Sequence, residues 1–515
     1  MTEDIIMGAK KTIRIICNAL FVGVMAFIVI AVFVPPKSIN WVKALGSYGV
    51  LAKVLIALAA VILTILRVAL YKKTKSIRLG KKHRRIAEIA GAAAILLVCC
   101  FVAYKLTPEP YNTFDSAQIY GFVQKASTGA PIENETYFNR YPHNLGIVMF
   151  YLSFVRMGVL IGFPNPQILM LAVTVLSVAM TIMITAYLAS KIVGRHSRFR
   201  IWVMALIAPL ALYSAEMYTD SISGFFVALE LLVMFKIYES KQENRSNRLL
   251  LYVILALVAG IGAIIKITSI IPIIAMGIVC LTIKLRSKID IRRAGRITCG
   301  ALVCLACFCG IFFGYKSIER QILPGSREGS LPYSHWVMMG MNGDGIFSSE
   351  ELESSLAHAP ETGKYNVETI KRRFLEMGPI GYISLLLRKV SVTWGDGTYE
   401  ISRVVGTQPR KPDSMAIQVV GVNGKYFKYY RLITTIYQLS WLLSFLTMAI
   451  LTRKKNNSKI LVLKLSLIGI FSFLLIWETN SRYLVNFLPV LLLLQEYSMM
   501  ILWQKARSYR ENAKA

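Results

Sequence analysis

The sequence predicts an all-α polytopic membrane protein of about twelve transmembrane helices, and three observations carry that prediction. Of its 515 residues, 55% are hydrophobic and only 17% are charged. Apolar runs near the roughly 20 residues that a helix needs to cross a bilayer recur along the chain. The net charge of +31 falls mainly in short segments between those runs. That distribution orients a protein in the lipid bilayer, and no nucleic-acid partner is expected.

The first apolar run, Ile15 to Val34, follows Lys10, Lys11 and Arg14 and has the outline of a signal peptide. Its length, and the absence of a small-residue cleavage pattern in Val34-Pro35-Pro36-Lys37, predict an uncleaved span over 13–34. A second span, 48–70, leads into a loop holding Lys72, Lys73, Lys75, Arg78, Lys81, Lys82, Arg84 and Arg85, which must face the cytoplasm. Further spans are predicted over 87–105, 167–190, 201–217, 221–237, 249–268, 270–284, 297–315, 428–451, 460–477 and 483–503. Both termini then lie inside, and the polar stretch 105–166 lies outside.

The run from Leu145 to Phe163 decides the rest of the topology. If it crossed, the basic segments Lys191–Arg200, Lys236–Arg248 and Lys284–Arg296 would all lie outside. Arg156 stands in its middle, where a charge at bilayer depth costs about 2.5–3.5 kcal/mol. It is therefore read as a helix that lies in the outer interface or dips in and out of it, which puts Asp115 and Asp220 on one face of the membrane. The chain divides into an N-terminal accessory hairpin (1–70), a core module (71–316) with a catalytic outer loop (106–166), an outer region (317–427), and C-terminal helices with a basic cytoplasmic tail (428–515). Pro324-Gly325, Gly329, Pro332 and Pro360 break up the outer region. Gly381 to Trp394, too short and too charged to cross, reads as an amphipathic surface helix.

Candidate chemistry gathers at the outer boundary. Phe114, Ile119, Phe122 and Val123 have helical spacing, so Asp115 begins a short amphipathic helix. Such an aspartate can be a simple first-turn residue stabilised by the helix dipole. Tyr137, Arg140, Tyr141, His143 and Asn144 follow within eight residues. Asp220 closes the sequence Glu216-Met217-Tyr218-Thr219-Asp220. Lys266 is a cation near the outer end of a span, where it either snorkels to the headgroups or serves a site. Glu478 and Arg482 lie in the short turn between the last two spans, and His335 precedes Trp336 in the outer region.

Asn342-Gly343-Asp344-Gly345 resembles half of a calcium loop, but Gly340 occupies the first ligand position and brings no side-chain oxygen. A divalent metal ion stays an open option, and no other cofactor is expected. Cys299, Cys304, Cys307 and Cys309 share one apolar span with no His or carboxylate between them, so they read as packing residues. No cysteine lies in a predicted outer loop, and no disulfide framework is implied.

The order and common sidedness of these elements resemble the GT-C membrane glycosyltransferases, the superfamily of protein mannosyltransferases and aminoarabinose transferases, in its Gram-positive form. The resemblance covers most of residues 87–490. It rests on Asp115, the Tyr141-Pro142-His143-Asn144 element, Asp220, Lys266-Ile267-Thr268, and Glu478 with Arg482-Tyr483 and Pro489. Many relatives carry an Asp-Glu pair in the first loop, whereas Ser116 follows Asp115 here.

The resemblance implies transfer of a sugar from a polyprenyl-phosphate donor to an extracytoplasmic glycan, lipid or protein. Asp115 and Asp220 would be catalytic. Lys266, Arg482, Arg140, His143, Tyr141, Glu478 and His335 would bind substrate. One carboxylate can accept the proton of the acceptor hydroxyl, and fixed cations can stabilise the departing phosphate. A single displacement inverts the anomeric centre and needs no second catalytic carboxylate. Two alternatives are a lipid-linked polysaccharide polymerase or ligase, which would lean on Arg and His, and a transporter or flippase, which should show internal repeats that this sequence lacks.

Overall fold

A chain in lipid must satisfy its backbone N–H and C=O groups within itself, so its apolar runs fold as helices. The structure is a computed structural model. It describes residues 2–37, 44–76, 80–108, 114–128, 135–163, 165–194, 197–239, 245–284, 291–322, 330–406, 411–452 and 457–512. Among these residues there is no strand. Pro324-Gly325, Gly329 and Arg78 lie outside the described residues.

Nine helices among the described residues are long and apolar enough to cross a membrane. Helices Val50–Ser76, Lys81–Leu106, Pro166–Ile192, Thr219–Glu239, Arg245–Ile265, Phe427–Leu451 and Ser458–Ile476 lie within a few residues of expected spans. Two expected spans correspond to shorter apolar helices, Ile15–Ala31 and Ile267–Cys280. The expected span 201–217 is not one helix. Helix Ser197–Ile207 stops ahead of Pro209, which has no N–H to continue it, and a 3-10 turn, Ala211–Ala215, follows. The run read as interfacial forms helix Leu145–Leu160, and with the 3-10 turn before it the helical stretch Pro142–Leu160 has the length and composition of a span. One side of it is buried against the protein, and Arg156 is exposed on the other.

The N-terminal hairpin is clipped into the body of the protein. Helix Val50–Ser76 packs against Phe427–Leu451 and Leu488–Asn512. Arg67 donates to Ser440 Oγ (3.1 Å) and lies over the Tyr437 ring at 5.1 Å. Arg200, buried, donates to Thr74 Oγ1 (2.8 Å) and pairs with Glu496 at 2.7 Å. Inside helix Pro166–Ile192, Thr174, Thr181 and Thr185 donate back to carbonyls one turn earlier, which satisfies these three hydroxyls in an apolar interior.

The region expected to lie outside folds as Ser334–Met339, Ser349–Ala357 and the long helix Thr362–Trp394, among others. The long helix kinks at Gly378 (φ 58°), a conformation that glycine alone takes without strain, just before Pro379. The expected surface helix Gly381–Trp394 is its second half, and the surface assignment is corrected in part. Ile380 and Ile383 are exposed, but Arg388 through Trp394 are buried. Lys389 donates to the carbonyls of Gly340, Leu475 and Trp477 at 2.8–2.9 Å, so it ends helix Ser458–Ile476 by taking up carbonyls that the helix cannot satisfy.

Candidate active site

Two helix starts and two helix breaks assemble the site. Asp115 is the second residue of helix Phe114–Thr128, whose Ile119, Phe122 and Val123 pack with Phe138 and Leu145. Asp220 stands in the first turn of Thr219–Glu239. Lys266 is the extended residue (φ −156°, ψ 111°) between the end of Arg245–Ile265 and the 3-10 turn Ile267–Ile270. Arg482 is the second residue of another 3-10 turn, Ser481–Phe487, after helix Ser458–Ile476 has ended. Asn480 caps that turn by accepting from Arg482 N (2.9 Å), and Asn486 donates to Thr268 Oγ1 (3.1 Å), which ties the two breaks together.

The charges meet around Arg482. Its Nη2 lies 4.0 Å from Asp115 Oδ2, and its Nε lies 4.0 Å from Asp220 Oδ2. The guanidinium sits 5.6 Å from the ring centres of both Tyr218 and Tyr483. Its Nε has no hydrogen-bond partner among the described residues. The two carboxylates differ. Asp220 is 2% exposed and ion-paired with Lys266, whose ammonium also lies 5.1 Å from the Tyr483 ring. The Asp115 side chain is 36% exposed and accepts from the Tyr218 hydroxyl at 3.1 Å.

Two further acids border the cluster. Glu478 lies in the turn between helices, and burial pushes its carboxyl up to about 7 although Arg482 and the Tyr483 hydroxyl (3.2 Å) favour the anion. Glu216 lies in the loop after Ala211–Ala215, and burial lifts it to about 8 against the pull of Arg482 and a hydrogen bond from Ser116. Glu216, Tyr218, Ser116 and Asn480 have no role in the reading from sequence. Glu216 is extended (φ −109°, ψ 106°) and reaches the cluster from the short loop that leads into Thr219–Glu239.

The remaining predicted residues stand at varied distances from the charges. Tyr137 accepts from Asn144 Nδ2 (2.7 Å), and its ring lies 5.2 Å from that of Tyr141. His143 meets Trp336 edge to face at 5.3 Å, and Trp336 stacks on Trp477 at 5.4 Å. Arg140 joins the outer region through its backbone, where its carbonyl accepts from Leu331 N (3.2 Å). His335 is not brought to the cluster. It is buried, with Nδ1 2.8 Å from Ser355 Oγ, which in turn donates to Asn366, and its neighbour Trp336 faces His143 instead.

Asp344 of the calcium-like loop accepts from Arg388 Nε (3.1 Å) and Lys37 N (2.9 Å), so its charge is already matched. Among the described residues no three His, Cys, Asp or Glu side chains group as a metal site. Beside this loop a cleft of about 610 Å³ is lined by Lys37, Asn342, Phe347, Glu350 and Arg403, among others.

A family described as "Conserved hypothetical integral membrane protein" matches residues 6–502. No curated protein matches the sequence. Among solved structures, the chain is similar to the archaeal oligosaccharyltransferase AglB from Archaeoglobus fulgidus, in complex with an inhibitory peptide and a dolichol-phosphate. The identity is 13% and the TM-score 0.43; the match covers 83% of this chain and 52% of that one. The chain therefore spans about half the length of that structure, and a likeness at this level defines no activity for it.

Proposed function

This chain belongs to the family of conserved hypothetical integral membrane proteins, and we propose that it is a GT-C-type glycosyltransferase that moves a sugar from a polyprenyl-phosphate donor to an extracytoplasmic acceptor. The observation behind this reading is Arg482, suspended between two carboxylates at 4.0 Å with its Nε uncommitted. A buried guanidinium without a full set of partners is a ready ligand for phosphate, which it can grip through two parallel hydrogen bonds.

Asp115 is the general base. It is the more exposed carboxylate, and the Tyr218 hydroxyl orients it. The acceptor hydroxyl gives its proton to Asp115 as its oxygen bonds to the anomeric carbon. The bond from that carbon to the phosphate oxygen breaks on the opposite face, and the electron pair leaves with polyprenyl phosphate. Lys266 and Arg482 stabilise the anion that forms. Asp220, ion-paired with Lys266, is a positioning residue for the two cations and takes no proton.

The test is sugar transfer from defined polyprenyl phosphosugars (glucose, mannose and N-acetylglucosamine in turn) by the purified protein in detergent. Asp115→Asn preserves shape and removes basicity, so turnover should fall by at least ~10²-fold with expression retained. Near-wild-type turnover in that variant would strip Asp115 of its role. A protein that consumes none of these donors, with membrane fractions supplied as acceptor, would defeat the reading as a whole.

A further inference from the structure

Tyr399 (φ 50°) and Glu400 (φ 56°) are consecutive non-glycine residues in the left-handed region. Side chains there are strained, and the conformation persists only where the surroundings overdetermine it. Here they do. Asp396 Oδ1 accepts from Thr398 N (2.9 Å) and Thr398 Oγ1 (2.7 Å), and Oδ2 accepts from Glu400 N (3.1 Å). The Tyr399 hydroxyl donates to Gln438 Oε1 (2.7 Å), and the whole turn is buried.

The same turn touches both elements that carry the charge cluster. Ser481 Oγ donates to Asp396 Oδ2 (2.7 Å), and Asn480 Nδ2 donates to Glu400 Oε2 (2.8 Å). These two residues directly precede Arg482. On the other side, the Tyr213 hydroxyl donates to Tyr399 O (2.5 Å), and Tyr213 O accepts from Ser221 Oγ (2.9 Å), next to Asp220. A free arginine beside two carboxylates would close to about 2.7–2.9 Å on one of them and spend its donors there. Arg482 stands 4.0 Å from each.

We propose that the strained turn Asp396–Glu400 is a positioning device that holds Arg482 off Asp115 and Asp220, so that its donors stay available for an anionic phosphate ligand. This rests on the reading of Arg482 as the phosphate ligand. When the turn is loosened, Arg482 collapses onto a carboxylate, and affinity for the phosphate falls although no group that touches it has changed.

The experiment measures binding of a polyprenyl phosphate to the full-length protein in detergent for wild type, Ser481→Ala, Glu400→Gln and Arg482→Lys, and for each turn variant combined with Arg482→Lys. Ser481→Ala removes one hydroxyl and serves where Glu400→Gln fails to fold. Each turn variant should weaken binding about 10-fold, the equivalent of one hydrogen bond's worth of affinity. In the Arg482→Lys background neither should weaken it further, because both act through the same guanidinium. Asp115→Asn added to Ser481→Ala should restore part of the lost affinity, since it removes one carboxylate onto which Arg482 collapses; a turn that merely supports the fold predicts no such rescue. Loss in Arg482→Lys with wild-type affinity in both turn variants overturns the positioning role and leaves the phosphate reading standing. Fully additive losses also overturn it. Unchanged affinity in Arg482→Lys defeats the phosphate reading, and the positioning role falls with it.

Discussion

Replacing Lys266 by methionine separates the stability of the charge cluster from its function. Asp220 is 2% exposed and ion-paired with Lys266, and the next cation, Arg482 Nε, is 4.0 Å away. Removing one partner of a buried pair leaves an uncompensated charge and costs about 3–5 kcal/mol. Arg482 stays and still attracts Asp220, so the expected loss lies at the lower end, about 3 kcal/mol. Over 515 residues, an unfolding entropy of about 2.1 cal/mol/K per residue makes 1 kcal/mol worth roughly 1 °C, so the melting temperature should fall by about 3 °C. The double variant Lys266→Met with Asp220→Asn removes the stranded charge, and its melting temperature should return to within about 1 °C of wild type. Turnover and polyprenyl phosphate affinity should stay low in both, because the phosphate has lost a cation. Thermal unfolding in detergent and ligand binding on the same samples read the two effects. A single variant that melts like wild type would show that the pair carries no such energy. A double variant that recovers turnover would remove Lys266 from the substrate site.

Glu478 should make stability depend on pH. Its carboxyl is raised to about 7 in the fold against 4.5 for the ordinary group, so between those values the folded state holds a proton that the unfolded state has released. Stability should therefore fall as pH rises from about 4.5 to 7, by roughly 3 kcal/mol, and then level off. Glu478→Gln should flatten that slope when melting temperatures at about pH 5 and pH 8 are compared, and an unchanged slope would assign it to other groups. Sidedness is tested on the expectation, drawn from the basic loops, that both termini lie inside. Cysteines at the exposed positions Gln124 and Glu361, in a background without native cysteines, should label in intact cells, and one at Glu511 only after permeabilisation. Labelling of Gln124 and Glu511 from the same side would overturn the topology.

How much was legible follows from which signals stand out in apolar sequence. Helices with charged or polar ends were plain: 428–451 corresponds to Phe427–Leu451, and 167–190 to Pro166–Ile192. The expected span 201–217 misled because its composition is apolar from Ile201 to Leu212 while Pro209 ends the helix, a local backbone effect that composition does not register. In the site, Asp220, Lys266 and Arg482 stood out because a charge beside an apolar run is costly and so conspicuous. Tyr218 and Glu400 did not. Their partners lie 103 and 80 residues away, in Asp115 and Asn480, and a pairing between distant loops leaves no periodicity to find. Glu216 was visible only as one more acid near Asp220; its contact with Ser116 depends on how two loops meet.

The position of His335 away from the cluster has a simpler cause. Both belong to the helix Ser334–Met339, and neighbouring residues on a helix point about 100° apart, so one turns towards His143 and the other towards Ser355. Which one faces His143 depends on how Ser334–Met339 docks against the long helix Thr362–Trp394. That docking includes a hydrogen bond from Arg373 Nη1 to Met338 O (3.0 Å) and its ion pair with Glu351 (2.6 Å). The orientation of Trp336 towards His143 thus depends on an arginine 35 residues beyond Met338, and the residues around His335 carry no sign of it.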